Sequence, residues 1–300
     1  MVDGEKVMKK ILTFLALFCA LLGINSPAFA GYCGSHSYYS HHTCPVYVVN
    51  QEFFEEQTPF NDCKDHSLLT ETTVNYYSNG TSRTFKSYSI LDKNGDVISG
   101  NFSEIKHIQY DNKHFFVVKQ KKLYKILGEN GIEISKRAYT ELYEIAPNKL
   151  VAKVDKKYGI VDLDDDIVVP LKYKKFERIG NDAFLTKLNG YWGIIDSDNN
   201  ILVKNDCDNI TPLYETQLLK KFHKYGLATN DGEIILDITC SKIKKLGEYI
   251  LVKRGRRYGL FSSSGEKITD IKYKKIRLER NTLEGYIDKQ WQVIYTGENI

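Results

Sequence analysis

The 300-residue sequence has two methionines, two tryptophans and six prolines. It has no hydrophobic run of helical period, so extended helices are excluded. No nucleophile elbow, zinc-protease helix, phosphate loop or redox Cys-x-x-Cys is present. With no catalytic constellation, the chain is expected to be non-enzymatic and to need no cofactor. A formal charge of +4 is too small for a dedicated nucleic-acid binder, and no specific nucleic-acid partner is expected. What the sequence has instead is 21 tyrosines among many Ile, Val and Phe, a composition that favours pleated, half-buried surfaces.

One long apolar run exists, Ile11 to Ile24, preceded by Lys9-Lys10 and closed by Asn25-Ser26-Pro27. It is too short to anchor a membrane helix, and Ala28-Phe29-Ala30 reads as a small-x-small cleavage site. Residues 1–30 are therefore expected to be a signal peptide. The mature chain would begin at Gly31, keep no membrane span, and work in the periplasm, at the cell surface or outside the cell.

Residues 31–73 form a Cys/His-rich segment with little expected regular structure. Cys33-x-x-His36, His41-His42-x-Cys44 and Cys63-x-x-His66 offer thiolates and imidazoles at spacings that can ligate zinc or copper. An exported protein meets an oxidising compartment, so a Cys33–Cys44 disulfide with Cys63 left over is the competing reading, and free thiols are a third.

Residues 74–300 read as a β domain. Asn79-Gly80 between Val74–Ser78 and Thr81–Phe85 marks a hairpin over 74–86, because Asn-Gly supplies the positive φ of a type I′ turn. From there an aromatic residue followed by an anchor recurs every 33 to 36 residues: Tyr88-Ser89, Tyr124-Lys125, Tyr158-Gly159, Trp192-Gly193, Tyr225-Gly226, Tyr258-Gly259 and Trp291-Gln292. Six residues past the anchor stand Gly95, Gly131, Asp165, Asn199, Gly232 and Gly265, all types that tolerate the left-handed region of a tight turn. Fourteen past it stand Ser103, Tyr139, Tyr173, Cys207, Cys240 and Tyr273. Each repeat then holds about four short strands, giving six complete copies and one truncated copy. Cys207 and Cys240, at equivalent positions of neighbouring copies, are expected to be buried and unbridged.

These columns resemble the tandem WG repeats of bacterial proteins over about two-thirds of the chain. The best copy is Lys187-Leu-Asn-Gly-Tyr-Trp-Gly-Ile-Ile-Asp196. The resemblance implies β-rich repeat modules, often behind a signal peptide, and carries no catalytic residues across. An all-β propeller-like ring is the favoured arrangement, since closure removes sheet edges, with an open β-solenoid as the alternative. At the anchors, Tyr158, Trp192, Tyr225 and Tyr258 are expected to pack, and Gly159, Gly193, Gly226 and Gly259 to permit close backbone approach.

Charge segregates by turn. Hairpin turns carry Asp164, Asp165, Asp166, Asp198 and Asp231, and the strings Asp162-x-Asp164-x-Asp166 and Asp196-x-Asp198-x-Asn200 fit hairpin turns better than calcium loops, the EF-hand Gly and Glu being absent. The other turns carry Lys156, Lys157, Lys221, Lys224, Arg254, Arg256 and Arg257. Such a basic rim would suit an envelope protein or an anionic polymer. A metal protein or enzyme built on the Cys/His segment is the alternative.

Overall fold

A computed structural model describes residues 46–61, 63–279 and 282–296. Within them the chain is all β. Sheet one holds β1 (Val48–Pro59), β2 (His66–Tyr77), β3 (Ser82–Asp92) and β4 (Val97–Phe102) in that order. Sheet two holds β5 (Glu104–Tyr110), β6 (Lys113–Gln120) and β7 (Leu123–Leu127). Sheet three holds β8 (Glu141–Ala146), β9 (Lys149–Val154), β10 (Lys157–Val161) and β11 (Ile167–Tyr173). Sheet four holds β12 (Lys175–Arg178), β13 (Phe184–Leu188), β14 (Tyr191–Ile195) and β15 (Ile201–Cys207). Sheet five holds β16 (Asn209–Leu213), β17 (Thr216–Lys221), β18 (Lys224–Thr229) and β19 (Ile234–Cys240). Sheet six holds β20 (Lys242–Leu246), β21 (Tyr249–Arg254), β22 (Arg257–Phe261) and β23 (Lys267–Tyr273). Sheet seven holds β24 (Lys275–Glu279), β25 (Thr282–Ile287) and β26 (Gln290–Thr296). No helix among the described residues is long and apolar enough to cross a membrane.

The chain divides into two compact units. The first takes the described residues up to His107, with Val118–Lys121 and Asn130–Ile132; the second takes the rest. The expectation of little regular structure before residue 74 fails over Val48–Pro59 and from His66 onward, where β1 and β2 pair in regular register from Asn50↔Tyr76 to Pro59↔Ser67. The physical reason is exposure. Every residue of β1 but Thr58 is exposed, so no face demands an alternating pattern, and backbone pairing with polar cross-strand bonds defines the strand. The Asn79–Gly80 turn lies between β2 and β3, with Gly80 at φ 79°.

In the second unit the sheets repeat one plan. The aromatic–anchor pair sits on the third strand, and the second strand comes from the end of the preceding copy. Each four-stranded sheet is therefore half of one copy and half of the next. The turn column behaves as its residue types require: Gly95, Gly131, Asp165, Asn199, Gly232 and Gly265 all have φ between 63° and 92°. The fourth strand bulges across the anchor glycine. Between Tyr158↔Tyr173 and Ile160↔Val169, one residue of β10, Gly159, faces three of β11. A Cβ on Gly159 would lie 2.3 Å from the Val169 carbonyl oxygen, and one on Gly193 2.6 Å from that of Val203. Only glycine leaves room for this crossing.

Successive sheets meet at one-residue corners. Tyr173 ends β11 and Lys175 begins β12, while the Lys174 amide donates to the Lys187 carbonyl of the next sheet at 2.8 Å. Asp208, Ser241 and Lys274 make the same bond to Lys220, Lys253 and Tyr286, each at 2.8 Å. Apolar clusters fill the space between neighbouring sheets. Ile160, Val169, Tyr173, Phe176, Phe184 and Ile195 join sheets three and four, and Leu227, Cys240, Ile243, Ile250 and Phe261 join five and six.

Candidate functional site

Strands that alternate in direction put successive turns at opposite ends of a sheet. In sheets three to six, the turns after the first and third strands share one end. The turn after the second strand and the corner to the next sheet share the other. The two ends differ in chemistry and in how far their polar groups are already engaged.

The first end is tied together. Asp162 Oδ1 accepts from the amides of Asp164 and Asp166 at 3.1 and 2.8 Å, and Asp196 Oδ1 from those of Asp198 and Asn200 at 2.9 and 2.7 Å. These carboxylates brace their own turns, as the turn reading of the Asp-x-Asp strings requires. Other acids join neighbouring segments. Lys149 Nζ reaches Asp198 at 2.7 Å and Ser197 Oγ at 2.8 Å, and the Asn181 amide reaches Asp231 at 2.8 Å. Lys136 pairs with Asp166, and buried Asp165 accepts from the Lys136 amide and the Tyr139 hydroxyl.

The opposite end is open and basic. Lys156, Lys157, Lys224, Arg254, Arg256 and Arg257 are exposed. Lys156, Lys157, Lys224, Arg254 and Arg256 have no ion pair among the described residues. Lys221 is engaged by Asp206 at 2.6 Å, which raises its pKa, and Arg257 donates to the Lys272 carbonyl at 2.9 Å. The corners add cations that the turn pattern did not reveal. Tyr173 pairs with Tyr158 beside the Asp155–Lys156 turn, which brings Lys172, Lys174 and Lys175 to this end; Lys272, Lys274 and Lys275 follow in sheet six.

The anchor aromatics lie half-buried just inside this end, each in a row across its sheet. Sheet three reads Glu141–Lys153–Tyr158–Tyr173, sheet four Lys175–Lys187–Trp192–Cys207, sheet five Asn209–Lys220–Tyr225–Cys240 and sheet six Lys242–Lys253–Tyr258–Tyr273. In sheets three, four and six the lysine of the second strand covers the aromatic ring. Lys153 stands 4.5 Å from the Tyr158 centroid, Lys187 4.8 Å from Trp192 and Lys253 5.2 Å from Tyr258. Sequence reasoning missed this partner, although its signal is plain: a cation stands five residues before the aromatic at Arg83, Lys119, Lys153, Lys187, Lys220 and Lys253.

Cys207 and Cys240 are fully buried, unbridged thiols opposite Trp192 and Tyr225. Burial, with the Asp206 charge adding to it, pushes the Cys207 thiol up to about 11. Of the Cys/His candidates, Cys33, His36, His41, His42 and Cys44 lie outside the described residues, as do the signal peptide and the Cys33–Cys44 disulfide. Cys63 and His66 are brought together, with Sγ and Nδ1 3.6 Å apart.

No family model matches the chain, and no curated protein matches it. Solved structures of β-propeller type are similar at low level. Kluyveromyces lactis Hsv2p is 12% identical with a TM-score of 0.29, the match covering 82% of this chain and 97% of that one. The AfRom2 CNH domain is 10% identical with a TM-score of 0.28, covering 83% and 97%. Citrobacter koseri AztD is 9% identical with a TM-score of 0.26, covering 72% and 86%. Likenesses at this level carry no argument about function.

Proposed function

We propose that the chain is an exported, non-enzymatic binding or scaffold protein of WG-repeat type, whose basic end holds an acidic partner in the cell envelope. The partner is an envelope protein or an anionic polymer. The observation that carries this reading is the contrast between the two ends: most of the acidic turn side chains brace or join sheets, whereas five basic turn residues stand exposed without an ion pair among the described residues. Additive contacts from such cations attract a polyanion and weaken as salt screens them. The test is binding of labelled poly-L-glutamate and polygalacturonate across a salt series. Steep loss of binding with salt, and further loss on reversing Arg254, Arg256 and Arg257 to Glu, supports the reading. Binding of neither polymer at low salt removes it.

Within the second unit, the corners favour an open succession of sheets over a radial ring. The two edges of a four-stranded sheet lie about 14 Å apart, at roughly 4.8 Å per strand. A one-residue link spans about 7 Å, so the chain turns a corner from edge to edge rather than recrossing the sheet.

A second reading rests on Cys63 and His66, whose ligand atoms are close enough to bind one metal ion. Stoichiometric zinc or copper in the purified protein, lost on Cys63→Ser, would support it.

A further inference from the structure

Sheets three and six carry the same lysine–tyrosine pair in the same register, but their first strands differ. In sheet three the first strand supplies Glu141. Its carboxylate takes a hydrogen bond from Lys153 Nζ at 2.5 Å and from the Tyr158 hydroxyl at 3.1 Å. The pair is thus satisfied inside the sheet by one oxyanion, and the Lys153 ammonium is held charged by it. In sheet six the residue facing Lys253 is Lys242. Neither lysine has an acidic partner among the described residues, and the Tyr258 hydroxyl has no hydrogen-bond partner there. Two like charges directly opposite on neighbouring strands destabilise a sheet. Sheet four repeats the arrangement with Lys175 opposite Lys187, and Lys187 over Trp192.

We propose that Lys242, Lys253 and Tyr258 form a carboxylate-binding site for an acidic protein segment, filled from outside by the group that Glu141 supplies from within in sheet three. The proposal rests on the basic-end reading above and names its ligand. Glu141 shows which chemistry the lysine–tyrosine pair accepts: a glutamate carboxylate on an extended chain, taking one charged and one neutral donor. Lys242 adds a second ammonium where sheet three has none, so the site gains attraction and loses its internal competitor. The corner lysines Lys272, Lys274 and Lys275, with exposed Arg254, Arg256 and Arg257, supply the surrounding positive field. Lys175 and Lys187 offer a second position two sheets away, so a segment with spaced acids can engage both.

A reciprocal swap tests the site. Lys242→Glu installs the sheet-three arrangement in sheet six; Glu141→Lys does the reverse. Fluorescence anisotropy with labelled poly-L-glutamate reads affinity, and thermal melting reads folding. Lys242→Glu should weaken binding about tenfold, the worth of one charge-assisted hydrogen bond, with a melting temperature equal to or above that of the unaltered protein. Glu141→Lys should tighten it. Lys242→Gln, which removes charge without adding an acid, should fall between Lys242→Glu and the unaltered protein and guards against a folding effect. If Lys242→Glu binds as tightly as the unaltered protein while the triple arginine reversal loses binding, this site is wrong and the basic end stands. If polygalacturonate binds and poly-L-glutamate does not, the acidic-segment assignment is wrong. If neither binds, both readings fall.

Discussion

Gly100 stands directly over Ser89: a Cβ on Gly100 would lie 2.4 Å from Ser89 Oγ and 3.1 Å from Ser89 Cβ. Ser89 occupies the anchor position that later copies give to glycine. In the first copy the missing side chain has moved to the crossing strand, so the contact stays close while the residue that permits it changes sides. The apparent loss of the anchor glycine in this copy is therefore a swap.

That relationship predicts a reciprocal mutant pair. Gly100→Ala alone should destabilise by about 1–3 kcal/mol through overpacking. Ser89→Gly with Gly100→Ala should recover most of the loss, because the pair then has the geometry of Gly159 against β11. Denaturant unfolding of the two single variants and the double variant measures the coupling. Additive losses would show that the two side chains do not compete for one space.

The anchor pair itself is expected to be unequal. Trp192→Tyr keeps an aromatic ring beneath Lys187, as Tyr158 and Tyr258 do beneath their lysines, and should change the melting temperature little. Gly193→Val places side-chain atoms where Val203 O and Asn205 Cγ already lie within 2.6 and 2.8 Å of a Cβ, and should prevent β15 from crossing. Circular dichroism melts separate the two. A Gly193→Val protein as stable as the unaltered chain would contradict the close-approach account.

Much of the second unit was legible because its constraints are local. The φ > 0 turn column needs Gly, Asn or Asp, so Asp165, Asn199, Gly232 and Gly265 announce themselves. Equivalent columns placed Cys207 and Cys240 in the core. The corners were not legible, because Lys174 and Lys274 are ordinary lysines whose bends are set by pairing with two different sheets. The cation over the Tyr158, Trp192 and Tyr258 rings was not legible because its register depends on a two-residue turn, which hides the cross-strand neighbour five positions away. In the first unit, β1 gave no periodic signal because both its faces meet solvent. The open basic end was half legible: its turns were, and the lysines delivered by the corners were not.

The buried thiols carry a chemical prediction. A Cys207 thiol raised to about 11 by burial holds almost no thiolate at pH 8, and the thiolate is the reactive form. Cys207 should therefore resist an aromatic disulfide reagent in the native protein and react at once in denaturant. Because its folded value lies above its ordinary 9.0, its contribution to stability is complete below pH 9 and is lost as pH rises through 11. Peptide mapping without reductant should find Cys207 and Cys240 unlinked. Native labelling at the rate of an exposed thiol would contradict the burial.

Tyr139 and Asp165 make the last case, because here a turn residue does a second job. Asp165 sits at φ 63°, where its column elsewhere has glycine or asparagine, and its buried carboxylate accepts from the Tyr139 hydroxyl and the Lys136 amide. Tyr139 is itself fully buried beside Leu142, Leu150 and Val161. Asp165→Gly would ease the backbone yet leave the buried Tyr139 phenol without its acceptor and release the Lys136 amide. The unmade bond should win, at about 1–3 kcal/mol for the buried phenol left unpaired, against roughly 1 kcal/mol recovered in the turn. Tyr139→Phe should cost less, since the Asp165 carboxylate keeps the Lys136 amide as a donor. Burial, with the Asp165 hydrogen bond second, raises the Tyr139 phenol above its ordinary 10.0. A raised phenol means that the folded state holds the proton more tightly, so this contribution is intact below pH 10 and fades above it. Unfolding followed from pH 8 to 11 should show the unaltered protein losing more stability than Tyr139→Phe; equal losses would mean that the phenol is not held by this pocket.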